Sequence, residues 1–491
     1  MIRRNPRAAA LLPMALVIVV RLLGPEDLDS NDQAKQALYV LDICESGRWI
    51  LPREQGNLPA TKPPLYAWLA SLASLAGGGP SELACRLVSA AAALGIAALV
   101  FSLAAGRWDE RTGVGAAWAF ASFHTTTKLS THIRPDMVLT LLTTLSLLAL
   151  SRLELGKPKA MRALFWLAAS FSILAKGPPG PLVVGAALLG LAFLPRWRAT
   201  IRGLLLSPWI FLLLLPALWF ALALAEGGEQ YWKGTVLRET VERALASGAR
   251  EGKGQHPGTL LVHFLVRDAP WSWIALAAAT AALFRRDAQA PPSQASLPAF
   301  WLLGGLLVFS LFRGQREDYL LPLLPAASVL AAAPWFSRWG RPPDAAGRRP
   351  RAAIFFSVAA LVLAGAVGYT LYLSPEARSG RGDDLDRFAE RVNGERRPED
   401  SVSFYGPLGN GVRFLTRLNK PSSTLEEVGR LPRPATGGRN LLICDADGEA
   451  ELAMKAPERF VPLLRHPHGR GNPELVLLAE DRRGAGERRS R

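Results

Sequence analysis

Cysteine is nearly missing from this chain. Three residues, Cys44, Cys85 and Cys444, are scattered over 491 positions. That excludes a disulfide scaffold and a cysteine metal site, and an odd number cannot all pair within the chain. Tandem repeats are absent, so a solenoid is excluded. No glycine-rich phosphate loop of the nucleotide-binding kind occurs, so a soluble nucleotide-sugar fold is not expected. Charge is scarce as well. Charged residues make up 20% of the chain, against about 25% in soluble domains.

In place of charge there are apolar runs. Hydrophobic residues make up 49% of the chain, with 14 Trp, and they collect in eleven stretches. These are residues 8–23, 86–105, 113–124, 135–151, 161–175, 179–194, 204–225, 269–284, 297–312, 319–336 and 352–373. Roughly 20 apolar residues cross a bilayer as a helix, fewer where flanking side chains snorkel. Residues 65–78 read either as one more short span or as a surface helix. The expected fold is an α-helical polytopic membrane protein with about 11–13 transmembrane helices. No cleavage site follows residues 8–23, so that stretch reads as a retained signal anchor.

The net charge of +16 would suit nucleic acid if the basic residues formed one patch. They do not. Arg3, Arg4 and Arg7 precede the first span. Arg107, Arg111, Arg152, Lys157, Arg196, Arg198, Arg285, Arg338 and Arg348 fall in alternate loops. This is the positive-inside pattern, so the basicity reports topology and no nucleic-acid partner is expected. It predicts a cytoplasmic N-terminus and a tail on the outer face. Residues 1–373 read as the membrane part and residues 374–491 as a small extracytoplasmic α/β domain with a disordered end. Residues 384–393 have helical spacing, while 401–405, 440–444 and 474–479 are short β-type runs.

The long loops, 24–64, 125–134, 226–268 and 313–318, all fall on the outward side, where chemistry is expected. Asp32 opens a helix in the first of them and Asp136 opens a span after Arg134. Singly, each reads as a helix-start dipole partner; together they are two carboxylates on one membrane face. Lys62, ahead of Pro63-Pro64, reads either as an interfacial lysine beside a belt of Tyr66 and Trp68 or as a phosphate ligand. Arg86, Lys128, Arg134, Lys176, Arg243, Arg313 and Arg316 also face outward, against the positive-inside trend. Lys176, which ends an apolar run before Gly177-Pro178-Pro179, stands out among them. His256 is a lone candidate metal ligand with no second ligand at motif spacing.

Asp32, the Ser46–Trp49 turn and the Lys62–Leu69 block resemble the first outer loop of the ArnT/protein-mannosyltransferase group, polytopic GT-C glycosyltransferases that use polyprenyl-phosphate sugars. Residues 134–140, 174–178, 269–273 and 309–326 follow in matching order. The resemblance implies inverting sugar transfer at the outer face of a bacterial cytoplasmic membrane, from a lipid-linked donor to a lipid, glycan or protein acceptor. It implies Asp32 and Asp136 as catalytic carboxylates. Lys62, with Arg86, Lys176, Arg243 and Arg316, would hold the donor phosphate. Three positions depart from the group's pattern: Gln33 follows Asp32, Thr61 precedes Lys62, and Gln315 stands in the 313–318 loop. Thr61 removes the carboxylate that pairs with a residue matching His256 in a metal site, so a divalent metal stays open. The rival reading is a transporter or flippase of lipid-linked sugars. That would favour charged or broken helices at mid-membrane and inverted repeats, whereas the charges here gather at span mouths.

Overall fold

The computed structural model describes residues 5–24, 28, 31–157, 159–235, 237, 258–284, 294–312, 315–336, 348–373, 381–432, 438–455, 459–467 and 474–480. In chain order it begins with α1 (Pro6–Leu23), α2 (Asn31–Ser46), the hairpin strands β1 (Arg53–Glu54) and β2 (Leu58–Pro59), and α3 (Leu65–Ala76). Next come α4 (Glu82–Arg107), α5 (Glu110–Ser122), α6 (His124–Leu129), α7 (Asp136–Glu154), α8 (Ala160–Lys176), α9 (Pro179–Ala192) and α10 (Pro195–Leu205). They are followed by α11 (Leu214–Tyr231), α12 (Thr259–Arg267), α13 (Trp271–Phe284), α14 (Ser296–Ser310), α15 (Leu324–Phe336) and α16 (Arg348–Gly368). Short 3₁₀ turns at Pro208–Leu213 and Glu317–Leu323 lead into α11 and α15.

Among the described residues, six helical segments are long and apolar enough to cross a membrane. They are Pro6–Leu23, Glu82–Arg107, Asp136–Glu154, Pro208–Thr235, Glu317–Phe336 and Arg351–Gly368. Leu65–Ala76, Pro179–Ala192, Trp271–Phe284 and Ser296–Ser310 are shorter apolar helices. The protein is a multi-pass membrane protein. The run expected over 113–124 is broken instead: α5 ends at Ser122, Phe123 is extended, and α6 restarts at His124.

The tail carries α17 (Arg381–Glu395), β3 (Ser401–Tyr405), α18 (Asn410–Leu415), β4 (Ser422–Ser423), α19 (Leu425–Gly429), β5 (Asn440–Asp445), α20 (Ala446–Lys455), β6 (Phe460–His466) and β7 (Leu475–Glu480). Its sheet has the order β4-β3-β5-β7-β6. β3 runs parallel to β4 and β5, and β7 antiparallel to β5 and β6. Because side chains alternate along a strand, β5 sends Leu441 and Ile443 into one core with Phe388 of α17. It sends Leu442 and Cys444 into another with Val428 and Leu452. Layers on both faces of the sheet explain why β5 is apolar from Leu441 to Cys444. β6, interrupted by Pro462 and a register shift after it, gave no alternating pattern in the sequence.

Two compact units emerge. One comprises Met1–Leu23, Thr61–Ala73 and Leu83–Thr370; the other comprises Gly24–Ala60, Ser74–Glu82 and Leu371–Arg491. The division drawn from the sequence at 373/374 puts the first outer loop with the membrane part. In the structure, segment 24–60 groups with the tail. The cause is a set of polar contacts across the chain, among them Gln55 Nε2 donating to Asn410 Oδ1 at 3.0 Å and Gly56 N to Asn419 Oδ1 at 3.3 Å.

Candidate functional site

In the membrane unit, three helical termini converge. Asp136 lies in the first turn of α7, after Pro135, and Asp318 lies in the first turn of the 317–323 segment. Lys176 closes α8, where Gly177 (φ 80°) ends the helix and Pro178-Pro179 start α9. Carboxylates at N-termini and an ammonium at a C-terminus each complement the local helix dipole. Their meeting also pairs opposite charges. The Lys176 ammonium contacts Asp136 Oδ1 and lies 3.3 Å from Asp318 Oδ2. Arg134 reaches Asp318 Oδ2 at 2.6 Å and Asp136 Oδ2 at 3.3 Å. Arg316 Nε lies 3.3 Å from Asp318 Oδ1. Both aspartate side chains are almost fully buried, where removing one of these partners would leave a buried charge uncompensated.

A second group adjoins it through Glu317, which pairs with Lys128 at 2.5 Å and with Arg267. Five cations (Arg134, Lys176, Arg316, Lys128, Arg267) thus surround three carboxylates (Asp136, Asp318, Glu317), an excess of two positive charges. His132, in the neighbouring loop, is held neutral well below its usual range. Burial is the main cause, and Arg21, Arg134, Lys128 and Arg86 add to it. The region suits an anion.

Beside Lys176 opens a cavity of about 560 Å³. Lys62 and Lys176 stand on its wall, with Trp219, Phe309, Phe312 and Tyr319 among the aromatic lining. The Lys176 ammonium sits 5.4 Å above the Tyr319 ring, and that ring stacks on Phe309. The Lys62–Leu69 block holds Lys62 there by its own chemistry. Pro63-Pro64 fix the backbone ahead of α3, and Trp68 N donates to Pro64 O at 2.8 Å as the helix begins. Tyr66 does not form an interfacial belt: it is buried, and its hydroxyl donates to the Cys85 carbonyl at 2.9 Å, tying α3 to α4.

The remaining candidates fall elsewhere. Arg86 is buried, its guanidinium donates to the Arg21 carbonyl at the end of α1 (2.6 Å), and it is not among the cavity's lining residues. Arg316 pairs with Asp318 and is not among the cavity's lining residues. Asp32 lies in the first turn of α2, in the other unit. Arg243, Arg313 and His256 lie outside the described residues. Gln315 is structural: its Oε1 accepts from Leu260 N at 2.8 Å and its Nε2 donates to Ser310 O. Among the described residues no group of three His, Cys, Asp or Glu could hold a metal, and the Thr61 hydroxyl beside Lys62 is a weak metal ligand. Asp318 and Tyr319 were not singled out from the sequence. Their signal was the acid between Arg316 and the Tyr319–Pro322 run, which reads as an ordinary surface pair.

Residues 61–225 match the dolichyl-phosphate-mannose-protein mannosyltransferase family. An undecaprenyl phosphate-alpha-4-amino-4-deoxy-L-arabinose arabinosyl transferase of Pseudomonas aeruginosa is 30% identical over 342 residues, 68% of this chain and 60% of that protein. The Shewanella sediminis protein of the same description is 26% identical over 335 residues, 66% of this chain and 59% of its own length. The chain therefore spans about three fifths of the curated relatives it matches. The crystal structure of ArnT from Cupriavidus metallidurans bound to undecaprenyl phosphate superposes with a TM-score of 0.76 at 17% identity, covering 96% of this chain and 98% of that one. The archaeal oligosaccharyltransferase AglB from Archaeoglobus fulgidus reaches 0.57 at 14% identity, over 91% and 70%. In sequence this chain is ArnT- and protein-mannosyltransferase-like, and its fold is the polytopic GT-C type with a small C-terminal α/β domain.

Proposed function

We propose that this protein transfers a sugar from a polyprenyl-phosphate donor to an acceptor hydroxyl at the outer face of a bacterial cytoplasmic membrane. The observation that carries the reading is the cavity with Lys62 and Lys176 on a wall that is mostly aromatic and aliphatic. A lipid phosphate presents one anionic group on an apolar chain, and the cavity offers cations and apolar surface together. Similarity to proteins described as acting on undecaprenyl phosphate supports the choice of donor.

The reaction exchanges one bond at the anomeric carbon. The acceptor oxygen bonds to the sugar's C1 as the C1–O bond to phosphate breaks, with inversion, and the lipid monophosphate leaves. Lys62 meets the negative charge growing on the phosphate oxygen, which counts for most in a partly dehydrated cavity. Lys176 spends two N–H donors on Asp136 and Asp318, which fixes its position before donor arrives. The resemblance assigns Asp32 the acceptor proton, a general-base role worth about 10²–10⁴ in rate. On this reading Arg86 holds α1 and Asp136 orients Lys176.

The test is an assay of the purified full chain with a labelled polyprenyl-phosphate sugar and a panel of lipid, glycan and protein acceptors. Asp32→Asn is expected to abolish transfer while donor binding survives, and Lys62→Ala to weaken donor use. Undiminished turnover in the first variant removes Asp32 from the mechanism. An unchanged donor KM in the second removes Lys62 from the phosphate.

A further inference from the structure

The tail's sheet has a place where a ligand would be expected, and the chain itself packs beside it. β3 is flanked on both sides by parallel strands: the connection through α18 leads to β4 on one side, and the return through α19 leads to β5 on the other. At such a reversal, open α/β sheets bind ligands in the crevice beyond the carboxyl ends of the strands. Here β3 runs out through Gly406 (φ 82°) into α18, and Leu28 and Gln55 lie against the first turn of that helix. A Cβ on Gly411 would come within 2.6 Å of the Leu28 carbonyl oxygen. Asn410 takes Gln55 Nε2 on its Oδ1 at 3.0 Å and points its Nδ2 at Glu54 Oε2 at 3.4 Å.

Residues 48–54, after α2, are fastened back to that helix at two levels. Glu54, on the hairpin, pairs with Lys35 of α2 at 3.1 Å. Asp42, near the other end of α2, has a buried carboxylate. It accepts from the Arg48 guanidinium, from Arg53 N at 2.8 Å and from Asn419 Nδ2 at 3.3 Å. Asn419 also donates to the Arg53 carbonyl at 2.9 Å and accepts from Gly56 N. Asn419 therefore grips both the loop and the helix carboxylate, while Asn410 grips the hairpin that holds Lys35. Lys35 lies three residues after Asp32, less than one turn along the helix.

We infer that the C-terminal α/β domain is a positioning domain, clasping α2 and the hairpin at residues 53–56 through Asn410 and Asn419 so that α2 presents Asp32 in one orientation. The inference rests on the proposed role of Asp32. Asn410 and Asn419 are positioning residues that act through the hairpin and Asp42. A reacting group displaced by an ångström costs about a hundredfold in rate, so the clasp should appear in kcat and leave donor binding alone.

Asn410→Ala and Asn419→Ala, made separately in the full chain, test this by hydrogen–deuterium exchange and steady-state kinetics. Expected are faster amide exchange in peptides from 31–46, retained protection of β5, and a kcat lower by about ten- to a hundredfold at unchanged donor KM, partly restored by Asn419→Gln. Unchanged exchange over 31–46 in both variants would overturn the inference, as would faster exchange with an unchanged kcat. Loss of protection across β5 would also overturn it, because the asparagines would then be holding the domain itself. A wild-type protein that transfers no sugar defeats the proposed activity, and the exchange arm still decides the clasp.

Discussion

Lys176 is the residue on which the membrane unit's polar chemistry turns. Its ammonium is nine-tenths buried and lies between two carboxylates that are more buried still. Removing one member of such a buried ionic group leaves the others uncompensated, at about 3–5 kcal/mol. The Lys128–Glu317 pair, with side chains 28% and 24% exposed, loses less on removal, since water reaches it and replaces part of what is lost. Lys176→Met is therefore expected to lower the thermal midpoint of the detergent-solubilised protein by far more than Lys128→Met, as read by differential scanning fluorimetry. Equal shifts would mean that the Asp136–Lys176–Asp318 group is solvated. Asp318 shows why this group was only half visible in the sequence. Asp136 and Lys176 each stood out at the end of an apolar run. Asp318 lay among Arg316, Glu317 and Tyr319, where an acid beside a base is the commonplace of any surface, and only packing against α7 and α8 separates it from Glu317.

At the scale of elements, the ends of helices carry more of the design than their middles. The apolar runs made the middles legible, because period and length are local properties. Partners of the ends are not local. Arg86 read from the sequence as one more outward cation, and the resemblance implied a phosphate ligand, yet its guanidinium lies on the last turn of α1, 65 residues back along the chain. A cation there satisfies a carbonyl the helix leaves unpaired and complements its dipole. Arg86→Ala is expected to destabilise the protein by about 1–3 kcal/mol, the cost of a buried acceptor losing a charged donor, with the donor KM unchanged. A raised KM at unchanged stability would return Arg86 to the phosphate. Segment 24–60 has the same lesson on a larger scale. Its helix α2 was legible from Asp32 onward, but its polar partners Asn410 and Asn419 lie 355 residues and more away, and no periodicity links them.

Across the whole membrane unit, α7 fixes a direction. It runs from Asp136 to Glu154, 19 residues or about 28 Å at 1.5 Å per residue, close to the hydrocarbon thickness of a bilayer. At the Asp136 end are Lys176, Asp318 and the cavity. At the other end, Glu154 lies 3.4 Å from both Arg107 and Arg196, and Arg152 donates to Ser102. The two charged clusters thus stand at opposite ends of a helix long enough to cross the bilayer, and we expect them on opposite faces of the membrane. Lys157 follows in the loop to α8, within the series of basic loops that the positive-inside rule assigns to the cytoplasm. We therefore expect a cysteine at Lys157 to react with a membrane-impermeant maleimide only after cells are permeabilised. A cysteine at Glu399, exposed on the tail, should react in intact spheroplasts. Cys85 and Cys444 are buried and Cys44 is half-buried, so Cys44→Ser clears the background. The opposite labelling pattern would turn the molecule over and place the cavity on the cytoplasmic face. Lipid-linked sugar would then have to be used before it crossed the membrane, and the outer-face transfer proposed here would fall with the orientation.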